Sequence, residues 1–214
     1  GITRSKERKE SPTESSRQQL AVALARHVEL ALANLKLRET LQNQAIKDPL
    51  TGLFNRRYME ESLDRELQRA ARTGTSLGLI LMDIDHFKQF NDAHGHAVGD
   101  LLLAALGSLL RTLVREEDIV CRYGGEEFTA IFPGASLKAT IERAEEIRDG
   151  VRRLTVPSEH GELGSITVSL GVAAYPEHGL SSRELLAAAD AALYRAKEDG
   201  RDRPAIAAPA SGRD

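Results

Sequence analysis

The sequence contains few cysteines, few aromatic residues and no long apolar run, and each shortage excludes a class of protein. Cys121 is the only cysteine among 214 residues, which rules out an internal disulfide and a cysteine-based zinc site. Aromatic residues make up 4% of the chain and tryptophan is absent, so the core must be aliphatic. No uninterrupted apolar run approaches the roughly 18 residues of a membrane helix or resembles a secretory signal. We therefore expect a cytoplasmic protein that does not span a membrane.

The charge is nearly balanced. Lysine and arginine total 29 against 32 aspartate and glutamate residues, which gives a net charge of -3. Such a chain has no strongly basic surface with which to bind DNA or an anionic membrane, so neither partner is expected. Its 41% hydrophobic and 29% charged residues are typical of a globular protein. The length suffices for one ordinary domain with an appendage but not for two full domains.

The composition divides the chain into four segments. Residues 1–17 are mostly polar and residues 207–214 are mostly small, which predicts a disordered linker and a flexible tail. Residues 18–47 contain no glycine or proline and carry apolar residues at helical spacing, which predicts one long helix. Pro49 ends that helix because the residue before a proline is pushed out of the α region. The globular domain is therefore predicted to cover residues 48–206.

The long helix carries two different apolar seams. The first consists of Leu20, Leu24, Val28, Ala31 and Leu35. The second has the four-three spacing of a heptad repeat and consists of Leu30, Asn34, Leu37, Leu41 and Gln44. A helix this long needs a partner along its length, and a polar residue such as Asn34 fixes coiled-coil register. We expect a homodimer through a parallel coiled coil; the alternative is a single helix that packs on its own domain.

The rest of the chain alternates between strand and helix patterns. The predicted strands are 77–84, 118–123, 127–132, 165–174 and 203–207, and the predicted helices are 55–72, 86–93, 99–115, 136–154 and 181–198. Gly124 and Gly125 mark the turn of a hairpin between two of the strands. This alternation predicts an α/β (α+β) fold with a mixed central sheet flanked by helices.

Acidic residues cluster at two strand ends. Asp83, Ile84 and Asp85 lie at the carboxyl end of the most apolar strand, where open α/β sheets bind ligands. Glu126 and Glu127 follow the two glycines of the hairpin turn. Together these acids predict an oxygen cage for a hard cation such as Mg²⁺. Three alternatives stay open: Asp85 caps the next helix, the turn is an ordinary exposed one, or strand alternation sends the two glutamates to opposite faces.

Cations and backbone donors at two helix ends suit phosphate. The candidates are Phe87 and Lys88 where one predicted helix starts, and Lys197 and Arg201 where the last predicted helix ends. The last two would equally complement the dipole of their helix. Asn91 and Asp100 carry groups that hydrogen-bond a guanine edge, although such residues are as common in caps and turns. The residues alone support a nucleotide enzyme with magnesium and phosphate sites.

Five sequence motifs follow one another along the predicted domain. They are 48–57 (DPLTGLFNRR), 82–88 (MDIDHFK) with Asn91 and Asp100, 122–128 (RYGGEEF), 169–172 (SLGV) and 194–201 (YRAKEDGR). In order and spacing they resemble the motifs of the GGDEF-domain diguanylate cyclases. The resemblance covers residues 48 to 202 and implies a fold similar to that of the class III nucleotidyl cyclases, with a ferredoxin-like palm.

The resemblance implies a reaction and a metal site. Two GTP molecules would condense into cyclic di-GMP with release of two pyrophosphates, each subunit of a homodimer contributing one GTP. Asp83, Glu126 and the Ile84 carbonyl would bind Mg²⁺, with Mn²⁺ as an alternative ion. Glu127 would help with a second ion or deprotonate the attacking 3′-hydroxyl. Two metal ions of this kind activate a hydroxyl and neutralise the leaving pyrophosphate.

The resemblance also implies how the substrate is bound. Asn91 and Asp100 would read guanine, and the two glycines of the turn would let the backbone approach the substrate. The phosphate contacts would come from Phe87, Lys88, Lys197 and Arg201. Cations at these positions would add electrostatic stabilisation to the transition state.

An Arg-x-x-Asp segment resembles the product-inhibition signature of the same family. Its residues are Arg115 and Asp118, five residues before the glycine turn in the expected place. Related cyclases use a second arginine from the helix after the hairpin, where this chain has Glu146; the nearby arginines are Arg143 and Arg148. We expect product to bind, while the crosslinking of two domains by product is in doubt.

The long helix and the DPLT segment resemble the connection between an upstream sensor and a cyclase. Such a sensor, for example a GAF or phytochrome-type module, is expected outside these 214 residues. We hypothesise that the two helix seams are alternative registers whose balance sets activity. Three other functions stay open: a catalytically silent cyclic di-GMP receptor, a GTP-binding dimerisation module, and a cyclase with relaxed base choice.

Overall fold

The computed structural model describes residues 14–158, 161–163 and 166–209 of the chain. The chain divides into two compact units, 1–45 and 46–214.

Helix α1, Glu14–Ile46, forms the described part of the first unit. Helix α1 begins at Glu14, four residues before the predicted start at residue 18, because residues 14–17 contain no glycine or proline that would break a helix. The rest of the predicted linker lies outside the described residues. Leu20, Leu24 and Val28 are all exposed along the helix. The Asn34 side-chain amide donates a hydrogen bond to the Leu30 carbonyl oxygen one turn earlier, at 3.0 Å. These three residues of the first apolar seam are thus exposed in the single chain.

A mixed sheet forms the centre of the second unit. The strands of the described chain are β1 (Phe54–Asn55), β2 (Leu77–Ile84), β3 (Ile119–Gly124), β4 (Glu127–Pro133), β5 (Val156–Ser158), β6 (Gly161–Leu163), β7 (Val168–Tyr175) and β8 (Pro204–Ile206). Six of them form one sheet in the order β1-β3-β4-β2-β7-β8, while β5 and β6 pair as a separate hairpin. The pairs β1–β3 and β7–β8 are parallel and the other pairs in the large sheet are antiparallel. The predicted mixed α/β architecture is confirmed.

Helices cover both faces of this sheet. They are α2 (Arg56–Thr73), α3 (Phe87–His94), α4 (His96–Leu113), α5 (Leu137–Arg152) and α6 (Ser182–Glu198). One core cluster joins α4 and α5 to the sheet, and a second joins α2 and α6 to the opposite face. Successive residues of β2, such as Leu79 and Ile80, belong to different clusters because their side chains point to opposite faces of the sheet. All eight residues of β2 are therefore buried, which explains why every side chain it carries except that of Asp83 is apolar.

Helix α4 is the most apolar helix of the described chain and bears on the expectation of no membrane span. By length and composition alone it could cross a membrane, with a mean hydropathy of 1.3 over 18 residues. Leu102, Leu106 and Leu110 of this helix are fully buried in the core of the domain. The apolar composition of α4 is explained by packing inside the protein.

The structure adds features that the sequence did not predict. Strand β1 is two residues long and pairs with β3, and the β5–β6 hairpin was also missed. The predicted flexible tail begins too early, because the Ala207 N–H donates to the Val172 carbonyl oxygen at 2.8 Å and its side chain is buried. Residues 210–214 lie outside the described part of the chain.

Candidate active site

The candidate acids meet where β2 ends and β4 begins. Asp83 and Glu127 are directly paired across these antiparallel strands, so their side chains leave the sheet on the same face. The Ile84 N–H donates to the Glu126 carbonyl oxygen at 3.3 Å, which holds the glycine turn against the end of β2. The strand register shifts between Arg122 and Gly124, so the turn departs from regular alternation. The two acidic segments singled out in the sequence are thus adjacent in space.

The acids form an electronegative centre with one close cation. Asp83 is buried, and its Oδ2 atom lies 2.8 Å from Nζ of Lys197 at the end of α6. Burial raises the pKa of the Glu127 carboxyl, the negative charge of Asp83 raises it further, and the Lys197 charge opposes both. Glu126 adds to the repulsion. The site therefore favours an additional cation.

The donor chemistry fits a divalent cation that is shared with a phosphate ligand. Within the described residues, no three or more His, Cys, Asp or Glu side chains are grouped closely enough to hold a metal by themselves. Mg²⁺ is commonly bound by one or two carboxylates, with substrate phosphates and waters as the remaining ligands. Asp83, Glu126 and the Ile84 carbonyl offer oxygen ligands of that kind.

Asp85 has a different environment from Asp83. Its carboxylate accepts hydrogen bonds from the hydroxyls of Thr167 and Ser169, both at 2.7 Å, and from the Asp202 N–H at 3.1 Å. The expectation that Asp85 caps the following helix is wrong, because the residue before α3 is His86, which makes no side-chain capping bond. Asp85 instead joins β2 to β7 and to the loop after α6.

The two candidate guanine ligands lie on neighbouring helices. Asn91 on α3 packs so closely against α4 that a Cβ atom at Gly99 would lie 1.9 Å from its Oδ1 atom. This buried oxygen has no hydrogen-bond partner among the described residues, while Asp100 on the next position of α4 is exposed. Buried polar groups usually have partners, so the unpaired oxygen is suited to bind a ligand.

The candidate phosphate ligands occupy two helix ends. Phe87 is buried at the start of α3, so only its backbone can contact a ligand, and Lys88 beside it is exposed. The first turn of α3 has no side-chain cap, which leaves its N–H groups available for an anion. Lys197 lies at the end of α6, and Arg201 follows in the next loop. The structure brings Lys197 to the acids directly.

The glycine turn is held by an arginine that sequence analysis did not assign. The Arg122 guanidinium donates to the Gly125 carbonyl oxygen at 2.8 and 3.0 Å, and its Nη1 atom lies 3.4 Å from the Asp48 carboxylate. Asp48 also accepts hydrogen bonds from the N–H and hydroxyl of Thr51, both at 2.8 Å. A charged residue within the apolar strand β3 was the available signal for this role.

The Arg-x-x-Asp segment forms a closed turn. The Arg115 N–H donates to Oδ2 of Asp118 at 2.8 Å. Burial raises the pKa of the Asp118 carboxyl, and it outweighs this hydrogen bond and the nearby charge of Arg143, which both lower that pKa. Arg143 on α5 also donates to the Leu113 carbonyl oxygen at 3.3 Å and to Glu146 at 3.0 Å. Of the two arginines near Glu146, Arg143 is therefore the one that faces this turn.

Comparison with known proteins places the domain in a family. The family model described as diguanylate cyclase, GGDEF domain, matches residues 45–203. The diguanylate cyclase DgcP of Pseudomonas aeruginosa is 41% identical over 169 residues, which are 79% of this chain and 25% of DgcP. The response regulator PleD of Caulobacter vibrioides is 42% identical over 159 residues, 74% of this chain and 35% of PleD. The chain thus spans about a quarter to a third of these relatives.

A solved structure supports the same placement. The coiled coil and GGDEF domain of DgcB from Caulobacter crescentus, in complex with c-di-GMP, superposes with a TM-score of 0.79 at 34% identity. The alignment covers 88% of this chain and 99% of that one. Fold, motif order and sequence identity agree over the second unit, and the chain belongs to the GGDEF-domain diguanylate cyclase family.

Proposed function

We propose that this chain is the catalytic part of a diguanylate cyclase that condenses two GTP molecules into cyclic di-GMP and releases two pyrophosphates. The observation that carries the proposal is the pairing of Asp83 with Glu127, beside the glycine turn that carries Glu126. The family match and the activity named for DgcP support the same reaction. We place the reaction in the cytoplasm, where GTP is available.

The metal site of this proposal consists of Asp83, Glu126 and the Ile84 carbonyl. A bound Mg²⁺ or Mn²⁺ ion would neutralise charge on the leaving pyrophosphate and make the attacking hydroxyl more acidic. The raised pKa of Glu127, caused by burial and by Asp83, suits a carboxyl that helps bind a second ion or accepts the hydroxyl proton. The adjacent Lys197 is placed to contact phosphate beside the acids.

The nucleotide would bind between the two helix ends. The Asn91 amide and the Asp100 carboxylate would pair with the guanine edge, whose N–H donors suit a carboxylate. The Phe87 backbone, Lys88, Lys197 and Arg201 would bind the phosphates. Gly124 and Gly125 carry no side chain that would obstruct the triphosphate. These contacts would hold the α-phosphorus in position for attack.

The reaction requires two such half-sites. The 3′-hydroxyl of one GTP attacks the α-phosphorus of the other, the bond to the pyrophosphate oxygen breaks, and the hydroxyl proton passes to a carboxylate or water. A second attack closes the ring. We infer a homodimer through α1, because Leu20, Leu24 and Val28 of its apolar seam are exposed and each protomer would bind one GTP.

We further propose that an upstream sensor controls this dimer and that product regulates it. Residues 18–47 would serve as the signalling helix and residues 48–206 as the cyclase domain. Arg115 and Asp118 would bind cyclic di-GMP as an inhibitor, and an arginine fork suits its phosphates and guanine edges. Arg143 faces the same turn, which supports a local product site there.

The activity is tested by incubating the protein with GTP and Mg²⁺ and separating the products by chromatography. We expect cyclic di-GMP from the unsubstituted protein and at least about a hundredfold less from Glu126→Gln, because the variant loses a metal-binding carboxylate. Glu177→Gln is the matched control, since Glu177 is exposed in the turn after β7, at the opposite end of the sheet.

A negative result would need one further experiment. Fusing a strong parallel coiled coil to α1 in each register would supply a dimer in defined geometry. Absence of cyclic di-GMP from every fusion, with GTP or cyclic di-GMP still bound, would contradict the cyclase. It would favour the alternative function of a catalytically silent GTP or cyclic di-GMP receptor.

A further inference from the structure

The loop after α6 has an unusual backbone. Gly200, Arg201 and Asp202 adopt φ angles of 102°, 61° and 52° in succession. Within the described chain, the non-glycine residues with positive φ are His86, Arg201 and Asp202, and all three adjoin the candidate active site. Left-handed backbone is unfavourable for an arginine and persists only when surrounding contacts impose it. The loop must therefore be held by its neighbours.

Asp85 supplies the first of these contacts. The buried Asp85 carboxylate accepts the Asp202 N–H at 3.1 Å while the Thr167 and Ser169 hydroxyls hold it in place at 2.7 Å. The Asp85 N–H also donates to the Thr167 carbonyl oxygen at 2.9 Å. Asp85 is thus fixed to β7 and offers a rigid acceptor to the loop.

Arg152 supplies a second contact from the end of α5. Its Nε atom donates to both oxygens of the Asp202 carboxylate, at 2.9 and 3.0 Å, and its Nη2 atom donates to the same group. The two residues that flank Asp202 in the chain are held as well. The Arg201 N–H donates to the Ala196 carbonyl oxygen at 2.9 Å, and the Arg203 carbonyl oxygen accepts the Leu170 N–H at 3.0 Å. Contacts with α5, α6 and β7, together with the contact to Asp85, thereby fix the conformation at residue 201.

The Arg201 side chain of this loop is available to bind a ligand. The Arg201 guanidinium makes no hydrogen bond or ion pair with any residue that the structure describes, and it is partly exposed. Asp202 follows Arg201 and has the same left-handed backbone. An aspartate tolerates the left-handed conformation as asparagine does, and its negative charge additionally binds Arg152.

We propose that Asp85 and Arg152 are positioning residues that hold Arg201 in its left-handed conformation for contact with the nucleotide phosphates. The inference rests on the proposed function, because the ligand of Arg201 is the phosphate of GTP. Asp85 and Arg152 do not touch the substrate in this arrangement. They act by preventing the loop from relaxing into ordinary backbone geometry, which would turn the guanidinium away.

The test compares GTP affinity in single and double variants, by calorimetry without turnover and by KM. Arg152→Ala should weaken GTP binding about three- to tenfold with a smaller change in kcat, and Arg201→Ala should weaken it at least as much. The double variant should resemble Arg201→Ala alone, because Arg152 acts through Arg201. Arg153→Ala, which removes the neighbouring exposed arginine, should leave affinity unchanged.

Different outcomes separate the two proposals. Unchanged GTP affinity in Arg152→Ala, or additive losses in the double variant, would overturn the positioning role. Weakened binding in Arg152→Ala without cyclic di-GMP formation by the unsubstituted protein or by any of the coiled-coil fusions would support the positioning role and contradict the cyclase. If the unsubstituted protein binds no GTP, both proposals fail.

Arg152 is half exposed, so its loss should leave the domain folded. Asp202→Asn gives an independent second variant that removes the same ion pair.

Discussion

At the scale of single residues, the proposed choice of base would depend on two residues at Gly99, namely Asn91 and Asp100. The buried Asn91 Oδ1 atom has no partner in the described chain, and Asp100, which follows Gly99 on α4, is exposed. A site that hydrogen-bonds a substrate N–H discriminates strongly against an analogue that lacks it, because its own polar groups then stay unpaired. Adenine lacks the N1–H and the 2-amino group of guanine. The pair is therefore suited to select GTP over ATP.

Replacing the acid should relax this choice. We expect Asp100→Ser to reduce the ratio of kcat/KM for GTP over ATP by at least about tenfold, because serine lacks the second acceptor and the negative charge. Initial rates with each nucleotide give the ratio. Glu142→Gln, at an exposed position on α5, is the control. An unchanged ratio in Asp100→Ser would contradict the assigned role of Asp100.

Asp85 shows why residue roles are harder to predict than residue types. Local sequence offers Asp85 as a cap for the next helix, which is the usual use of an aspartate there. Its actual partners are separated from it by 82, 84 and 117 residues along the chain. No local pattern reports contacts at such separations. The adjacent acids at 83 and 126 could be predicted together only because strand ends and glycine turns constrain where they lie.

At the scale of elements, the ion pair between Asp48 and Arg122 links two turns. Both side chains are 18% exposed, and Arg122 also holds the Gly125 carbonyl oxygen. Burial raises the pKa of Asp48, but hydrogen bonds from Thr51 and the charge of Arg122 outweigh it, so the pKa lies below its usual value of 3.8. The ionised form thus stabilises the fold above that value, and the contribution is lost as the pH falls through the lowered pKa.

This linkage predicts a pH-dependent stability difference. At pH 7, Asp48→Asn should lower the free energy of unfolding by about 1 to 3 kcal/mol, since it removes charged hydrogen bonds. The deficit relative to the unsubstituted protein should shrink as the pH falls below 4, where Asp48 itself becomes neutral. Urea unfolding at several pH values measures both. Asp92→Asn, at an exposed position, should show neither effect; a deficit that persists at low pH would contradict the ionic contribution.

Element prediction succeeded where burial is continuous and failed where elements are very short. Strand β2 was predicted with its observed bounds, Leu77–Ile84, because its apolar run has turn residues ahead of it and acids at its end. The predicted starts of α5 and α6 fall on Ser136 and Ser181, which the structure shows to be their N-caps. Strand β1 has only two residues, which is too short for any periodicity, so its pairing with β3 could not be predicted.

At the scale of the whole molecule, the proposed catalysis would depend on how two half-sites meet. Each protomer would present one GTP, and correct orientation of two reactants contributes a large part of a rate enhancement. The helix that would set this orientation carries two seams that have no residue in common. Leu30 and Asn34 belong to the heptad seam, while Leu24 belongs to the other. If the dimer changed from one seam to the other, the two helices would rotate and the orientation of the two half-sites would change. Neither nucleotide site would itself be altered.

This separation gives the last prediction. Asn34→Leu strengthens the heptad seam and Leu30→Ser weakens it, because apolar residues at core positions stabilise a coiled coil and polar ones destabilise it. We expect the two substitutions to shift kcat in opposite directions, each by at least about threefold, with KM for GTP unchanged. Steady-state rates at fixed protein concentration, with molar mass from light scattering, provide the measurement. Glu29→Gln, an exposed change on the same helix, is the control. Equal rates in both variants, at equal dimer content, would contradict control by helix register, because the seams would then present the half-sites identically.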